Sequence, residues 1–415
     1  MVAEARSSSR RPAEWFRSRQ ESYLRRLLVH AYENVPLYRK LYDEVGFRPE
    51  RFRSLDDLQQ IPPLSKSRLK GASIEDILAR GIDPASCQWV ATSGSTGVPL
   101  QILLGRFERC WHRAVAWRIL FENGFRWTDR TLEIRMTLGP VHWLQRMGIA
   151  PKDWVSILQP PEDWVSILNR RHHSCIIAGA GTLDRFSGAM TGHSRHRPKL
   201  VFSDSEPLTP QARTRIRHAF GVDPVDVYGL VEVSNFAWQC EERQGFHVSA
   251  DSHVVEVDAA TGEFGPLLVT ALGMWSMPII RYETGDLAAW ATNLCRCGRT
   301  LPVLATIHGR AIDSILLGDG RQLLWPFFHE ILGRFSQVIE WQVCQTGPLM
   351  LVVRVVLRDQ QRENLSKVDA ALREQLPPKV SLRVDSVTAI ATGANGKRRL
   401  VIPLGDASVN PGEGA

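Results

Sequence analysis

The sequence predicts an α/β chain. Residues 1–310 read as a large N-terminal domain of helix-covered, mainly parallel sheets, and residues 311–415 as a small α+β domain. Three observations carry this. Between about 85 and 305, short apolar runs such as CIIAGAG, KLVFSDSEPL, DVYGLVE and HVVEV alternate with polar helical stretches. From about 311 the pattern changes to hairpin, strand, helix and strand. With 415 residues, 44% apolar and 23% charged, the chain can bury a large core.

In chain order, EWFRSRQESYLRRLLVHAYENVPLYRKLYDEV (14–45) has apolar residues at helical spacing, which predicts one or two amphipathic helices. SLDDLQQIPPLSKSRLK follows, with Ser54 and Asp57 spaced as a capping box and a double proline that stops the helix. WVATSGSTGVPLQILL (89–104) places Thr92, Ser93, Gly94, Ser95, Thr96 and Gly97 between two apolar runs. Such a loop offers backbone N–H groups and hydroxyls to an anion. It is not a Walker loop, because Val98 stands where a lysine belongs. PKDWVSILQP (151–160) is repeated at once as PEDWVSILNR. Each copy opens on proline and acid, as helix N-termini do, and the pair reads as a local duplication without a chemical role. IIAGAGTLDRF (176–186) imitates a dinucleotide motif, but Asp184 occupies the third glycine position and would repel a pyrophosphate.

Further on, DVYGLVE puts Glu232 just past a Tyr228-Gly229 turn after a strand, and PIIRYETGDL puts Asp286 after a strand and a Thr-Gly turn. IHGRAID (307–313), with Arg310, is the natural joint between the domains. DSILLGDGRQLLWP predicts a hairpin around Asp319-Gly320, LMLVVRVVL a strand, RENLSKVDAALREQL a helix and KVSLRVDSVTAI a strand. TGANGKRRLVI then sets Lys397 in a glycine loop.

Composition excludes several classes. No run approaches the roughly 20 apolar residues that span a bilayer. The first residues lack the apolar core of a secretory signal, so a cytoplasmic location is expected. Seven cysteines scattered along a long chain argue against a disulfide scaffold. The net charge of +7 is spread over the chain and reads as solvated surface.

In this order and spacing, the hydroxyl-glycine loop, Glu232, Asp286, Arg310 and Lys397 resemble the adenylate-forming superfamily of acyl-CoA synthetases, adenylation domains and luciferases. HAYENVPLYRKLYDEVGF, SLDDLQQIPPLSK, SEPLTPQAR, YGLVE and RYETGDL are similar to its phenylacetate–CoA ligase branch, over about residues 25–401. The resemblance implies that a carboxylate attacks the α-phosphate of ATP, and that coenzyme A then displaces AMP. It also implies the roles. Thr92 to Gly97 hold the leaving phosphates. Glu232 places Mg²⁺, a hard cation that takes carboxylate oxygen. Asp286 accepts from both ribose hydroxyls, Tyr228-Gly229 and the Ser205-Glu206 backbone frame the adenine, and Arg310 contacts the nucleotide at the hinge. Lys397 bridges the carboxylate and the α-phosphate, so the small domain must close on the large one.

The chain departs from the family pattern at three places. The loop at Val98 and Leu100 lacks a nearby lysine, so Mg²⁺ and Lys397 carry more of the neutralisation. Ser205 replaces a common glycine and is expected to crowd the adenine pocket. Ile312 takes the place of an acidic hinge residue, with Asp313 one position later.

Cys240, His247, Cys295 and Cys297 supply three thiolates and an imidazole; the residues alone fit buried unliganded cysteines better, but the branch carries such a cluster at matching positions, and the resemblance implies a tetrahedral structural zinc. Cys87, Cys110, Cys175 and Cys344 have no partner pattern and are assigned to the core. The acid pocket draws on residues 110–145, rich in Trp and Arg, which suits an aryl acid, although Trp111 and Trp117 equally fit helix core. The partners expected are therefore a carboxylic acid and coenzyme A, with no membrane and no nucleic acid, and a homodimer left open. Two other readings compete. One keeps the adenylation and changes the acceptor to an amine or a carrier-protein thiol. The other is a zinc-containing nucleic-acid binder, which leaves the ordered motifs unexplained.

Overall fold

A computed structural model describes residues 8–91, 100–139, 143–190, 196–310, 314–323, 325–358, 362–390 and 399–405. Its centre is an eleven-stranded sheet. From one edge the strands are His253–Val257, Gly265–Ala271, Tyr282–Trp290, Val303–Arg310, Phe246–Val248, Ser234–Trp238, Val225–Leu230, Leu200–Asp204, Cys175–Gly179, Thr131–Arg135 and Lys152–Ser156.

The parallel arrangement covers the last five of these, from Val225–Leu230 to Lys152–Ser156. The remaining pairings are antiparallel. Linker length permits the parallel half. A parallel connection needs a dozen residues or more. Stretches 157–174, 180–199 and 205–224 have that length and form the helices Pro161–Arg171, Ala180–Met190 and Pro210–Phe220. Stretches 231–233 and 258–264 are too short for a crossover and make turns. Leu168, Ile176, Phe186, Ile216 and Phe220 fill the helix–sheet contact.

The N-terminal periodicity resolves into two helices, Ala13–Asn34 and Pro36–Glu44. Leu24, Leu27, Leu28 and Ala31, spaced to share one face, are fully buried against the antiparallel half. The capping box forms, with the Ser54 amide donating to Asp57 Oδ2 at 2.9 Å, but it opens a 3₁₀ turn, Leu55–Gln60, rather than an α-helix.

The two DWVSIL copies part company. The second is the helix Pro161–Arg171, as expected. The first is the edge strand Lys152–Ser156, laddered on Thr131–Arg135. That helical expectation fails because the parallel ladder satisfies the backbone of the first copy, while Pro160 and Pro161 start a helix in the second. The copies also touch, since Trp164 Nε1 donates to Ser156 O at 3.2 Å.

Beyond 313, a sheet of Ser381–Ser386, Met350–Leu357, Val338–Gly347 and Val401–Ile402 packs on helices Trp325–Leu332 and Arg362–Gln375. It has an apolar core of its own, centred on Phe328, Val343, Val353 and Leu372. The expected hairpin pairs Ile315 with Leu323, and Gly320 at φ +86° makes its turn. Strand Val338–Gly347 and helix Trp325–Leu332 had no clear signal in the sequence. No helix among the described residues is long and apolar enough to cross a membrane.

Candidate active site

Tyr228 lies in strand Val225–Leu230, and its phenol donates to Asp286 Oδ2 in strand Tyr282–Trp290. Burial and the adjacent Asp286 carboxylate hold the phenol pKa well above 10, so the proton stays on Tyr228. The Asp286 amide donates to Thr284 Oγ1 at 3.0 Å, and Asp286 pairs in register with Arg310. Neither residue follows a finished strand, as the sequence suggested. Both strands run on through a bulge, at Tyr228/Gly229 and at Asp286/Leu287, and bulges re-aim side chains without ending the ladder. Gly229 is obligatory, because a Cβ there would lie 2.4 Å from Asn235 Cα and 2.6 Å from Ser234 O.

Glu232 sits in the turn after Leu230 and is 3% exposed. The Tyr282 phenol donates to its Oε1 at 2.9 Å, and Lys66 Nζ stands 3.6 Å from the same oxygen. A short ladder brings Lys66 there. The Leu64 amide donates to Arg281 O at 2.8 Å and the Glu283 amide to Leu64 O at 3.0 Å. Ser65 then caps the short helix Lys66–Gly71. Lys66 and Tyr282 stand beside Glu232, and the sequence reading left both without a role. Both lie inside quoted motifs, PLSK and RYETGDL, but only a tertiary contact joins them to Glu232.

Ser205 adopts φ +66°, the left-handed region, which explains why glycine is common at this position. Its hydroxyl donates to Asp204 Oδ1 at 3.1 Å, so the extra atoms turn toward Asp204. The Glu206 carboxylate accepts from the Gly181 amide at 2.7 Å, at the start of helix Ala180–Met190. Asp204 takes a two-pronged bond from Arg135 at 2.7 and 2.6 Å. Burial disfavours charge on Arg135, but Asp204 and Glu133 more than offset this and keep it protonated. Asp184, the residue that argued against a dinucleotide, is clasped by Arg215 at 2.7 Å. Asp226, two residues before Tyr228, was not singled out from sequence. Burial pushes its carboxyl up to about 7.

Thr92, Ser93, Gly94, Ser95, Thr96, Gly97, Lys397, Ile312 and Asp313 lie outside the described residues, as does the side chain of Arg310. The strands flanking the loop, Gln88–Ala91 and Gln101–Leu104, pair as an antiparallel hairpin.

Cys240, His247, Cys295 and Cys297 converge, with their donor atoms all within 4.8 Å of one another. Cys240 Sγ lies 3.6 Å from Cys295 Sγ, and Cys297 Sγ lies 3.3 Å from His247 Nε2. A zinc tetrahedron with Zn–S of about 2.3 Å and Zn–N of about 2.05 Å has edges of about 3.8 and 3.6 Å, so the donor set fits the ion. Gly298 at φ +75° turns the chain round the cluster. Cys87, Cys175 and Cys344 are buried, but Cys110 is exposed on helix Arg106–Glu122, which corrects its assignment to the core. Trp111 packs where a Cβ on Gly273 would lie 2.3 Å from its ring, and Trp117 stacks on Trp127 at 5.0 Å. Both therefore belong to packed aromatic clusters.

No family model matches the chain. It is 30% identical over 337 residues to a phenylacetate–coenzyme A ligase of Thermus thermophilus, which covers 74% of this chain and 73% of the relative. This chain belongs to the phenylacetate–coenzyme A ligase family. A ligase of the same name from Escherichia coli is 28% identical over 401 residues, 88% of this chain and 89% of the relative. In fold, the chain matches the crystal structure of a 2-hydroxyisobutyryl-CoA ligase in complex with its acyl-AMP. The TM-score is 0.79 at 21% identity, over 95% of this chain and 90% of that one. The protein is thus an AMP-forming acid–thiol ligase, which activates a carboxylic acid as its adenylate and passes the acyl group to coenzyme A.

Proposed function

We propose that this ligase activates an aryl or arylacetic acid, and that the nucleotide lies between Tyr228, Asp286 and the Ser205-Glu206 backbone. One observation carries this reading. The segment of Tyr228 and Glu232 meets the distant strand of Asp286 through the Tyr228–Asp286 bond and the Tyr282–Glu232 bond. A carboxylate with two acceptor oxygens suits a ribose diol. A half-buried phenol beside it supplies a flat apolar face for a base.

Glu232 offers hard oxygen to Mg²⁺, which when bound would neutralise charge on the phosphates of ATP. Lys66 adds a second cation on that side of the site. Thr92 to Gly97 would receive the leaving pyrophosphate, Arg310 would contact the nucleotide at the hinge, and Lys397 would steady the attacking carboxylate and the α-phosphate. For Lys397 to do so, the small domain, from 311 onward, must close on the large one. Residues 136–139 follow the carboxyl end of a parallel strand, the usual ligand side of such sheets, and we assign the acyl group there. Cys240, His247, Cys295 and Cys297 would hold a structural zinc with no open position.

The test is a panel of aryl, arylacetic, aliphatic and amino acids incubated with ATP, Mg²⁺ and coenzyme A, with the products read by mass spectrometry. An aryl acyl-CoA with equimolar AMP is expected. Turnover of aliphatic or amino acids alone would refute the substrate class.

A further inference from the structure

We propose that Tyr282 is a positioning residue for the magnesium-binding carboxylate, its phenol occupying one oxygen of Glu232 and turning the other toward the metal. This rests on the reading of Glu232 given above. Both neighbouring donors, the Tyr282 phenol at 2.9 Å and Lys66 Nζ at 3.6 Å, fall on Oε1. The carboxylate is therefore held by one edge. Tyr282 and Glu232 are 1% and 3% exposed, so water does not compete for that bond.

Tyr282 itself has no freedom to drift. Arg281 before it sits at φ +47°, a conformation unfavourable for a non-glycine residue that persists only when its surroundings impose it. Those surroundings are visible. The Arg281 guanidinium bonds Glu256 at 3.1 and 3.0 Å and also donates to Ile61 O. The Leu64 ladder clamps the backbone on both sides of Tyr282. A strained, fully bonded dipeptide thus presents one hydroxyl to one oxygen. A carboxylate held in this way reaches a metal without first losing rotational freedom, as outer hydrogen bonds to metal ligands commonly ensure.

The probe is Mn²⁺ in place of Mg²⁺, titrated into protein with ATP and no acid, and read by the electron paramagnetic resonance signal of the free ion. Tyr282→Phe keeps the ring and its packing and removes only the hydroxyl. Its ternary-complex affinity for Mn²⁺ should fall by about tenfold or more, while ATP affinity without metal is unchanged. In a Glu232→Gln background, the same substitution should cause no further loss. Tyr282→Leu, a second substitution without the hydroxyl, should lose affinity likewise, which keeps the test open if Tyr282→Phe folds poorly. Normal Mn²⁺ affinity in a folded Tyr282→Phe protein would overturn the positioning role. Normal affinity in Glu232→Gln would place the fault earlier, in the metal role of Glu232 itself, and would overturn both.

Discussion

Replacing Cys297 by serine should empty the Cys/His cluster and lower the melting temperature. The magnitude follows from the geometry. The Cys240–Cys295 and Cys297–His247 separations, 3.6 and 3.3 Å, differ from the edges of a zinc tetrahedron by only a few tenths of an ångström. These two edges are therefore nearly in place before the ion enters, and little of the binding free energy goes into moving them. A serine hydroxyl replaces a soft thiolate and breaks one of four bonds, which should weaken zinc binding by about a hundredfold or more. That factor is about 2.7 kcal/mol of metal-linked stability, or a fall of about 3–5 °C for a domain of this size. The assays are elemental analysis of the purified protein and thermal unfolding with and without a chelator. Wild type should hold one zinc per chain and lose those degrees to the chelator, whereas Cys297→Ser should hold little zinc and be insensitive to it. Wild-type protein without metal, or a Cys297→Ser protein with unchanged zinc and melting temperature, would refute the reasoning.

Three further outcomes are expected. Lys397→Ala should slow adenylation by about a hundredfold, the loss of one preorganised cation, and leave transfer from a pre-formed adenylate nearly intact; single-turnover rates of the two half-reactions decide it. Gly229→Ala should destabilise the protein by about 2–3 kcal/mol in denaturant unfolding, because its Cβ would meet the Ser234–Asn235 backbone at 2.4–2.6 Å. Asp226 carries a native pKa of about 7, above its ordinary 3.8. The folded state therefore keeps a proton that the unfolded chain releases, and this contribution to stability falls as pH rises from about 4 to 7. Asp226→Asn should remove that decline, gaining on the order of 2 kcal/mol over wild type at pH 8 relative to pH 5 in parallel unfolding curves.

The readable parts of the site share a physical cause. Tyr228-Gly229, Glu232 and Asp286 stand where strands bulge or turn, and such places carry small or polar residues that break the apolar pattern. Cys240, His247, Cys295 and Cys297 could be grouped only through the family resemblance, since buried cysteines without a ligand are otherwise the commoner reading. Lys66 and Tyr282 were not legible, since each looks like an ordinary residue until the Leu64–Tyr282 pairing brings them to Glu232. The DWVSIL repeat shows the limit most plainly. Of six identical residues, the first four are strand in one copy, while all six are helix in the next, because neighbouring prolines and an available ladder decide between them. The change from parallel to antiparallel strands after Leu230 was hidden for a related reason. It depends in part on linker length, and apolar periodicity carries no information about that.

The most direct test of the assigned nucleotide site is exchange of labelled pyrophosphate into ATP without coenzyme A, in wild type and in Asp286→Ala. Wild type should exchange only when Mg²⁺ and a suitable acid are both present. Asp286→Ala, folded and zinc-replete, should need about 10- to 100-fold more ATP, the equivalent of losing hydrogen bonds to a charged acceptor. Exchange by Asp286→Ala at the wild-type ATP concentration would contradict the assignment of Tyr228 and Asp286 as the nucleotide site.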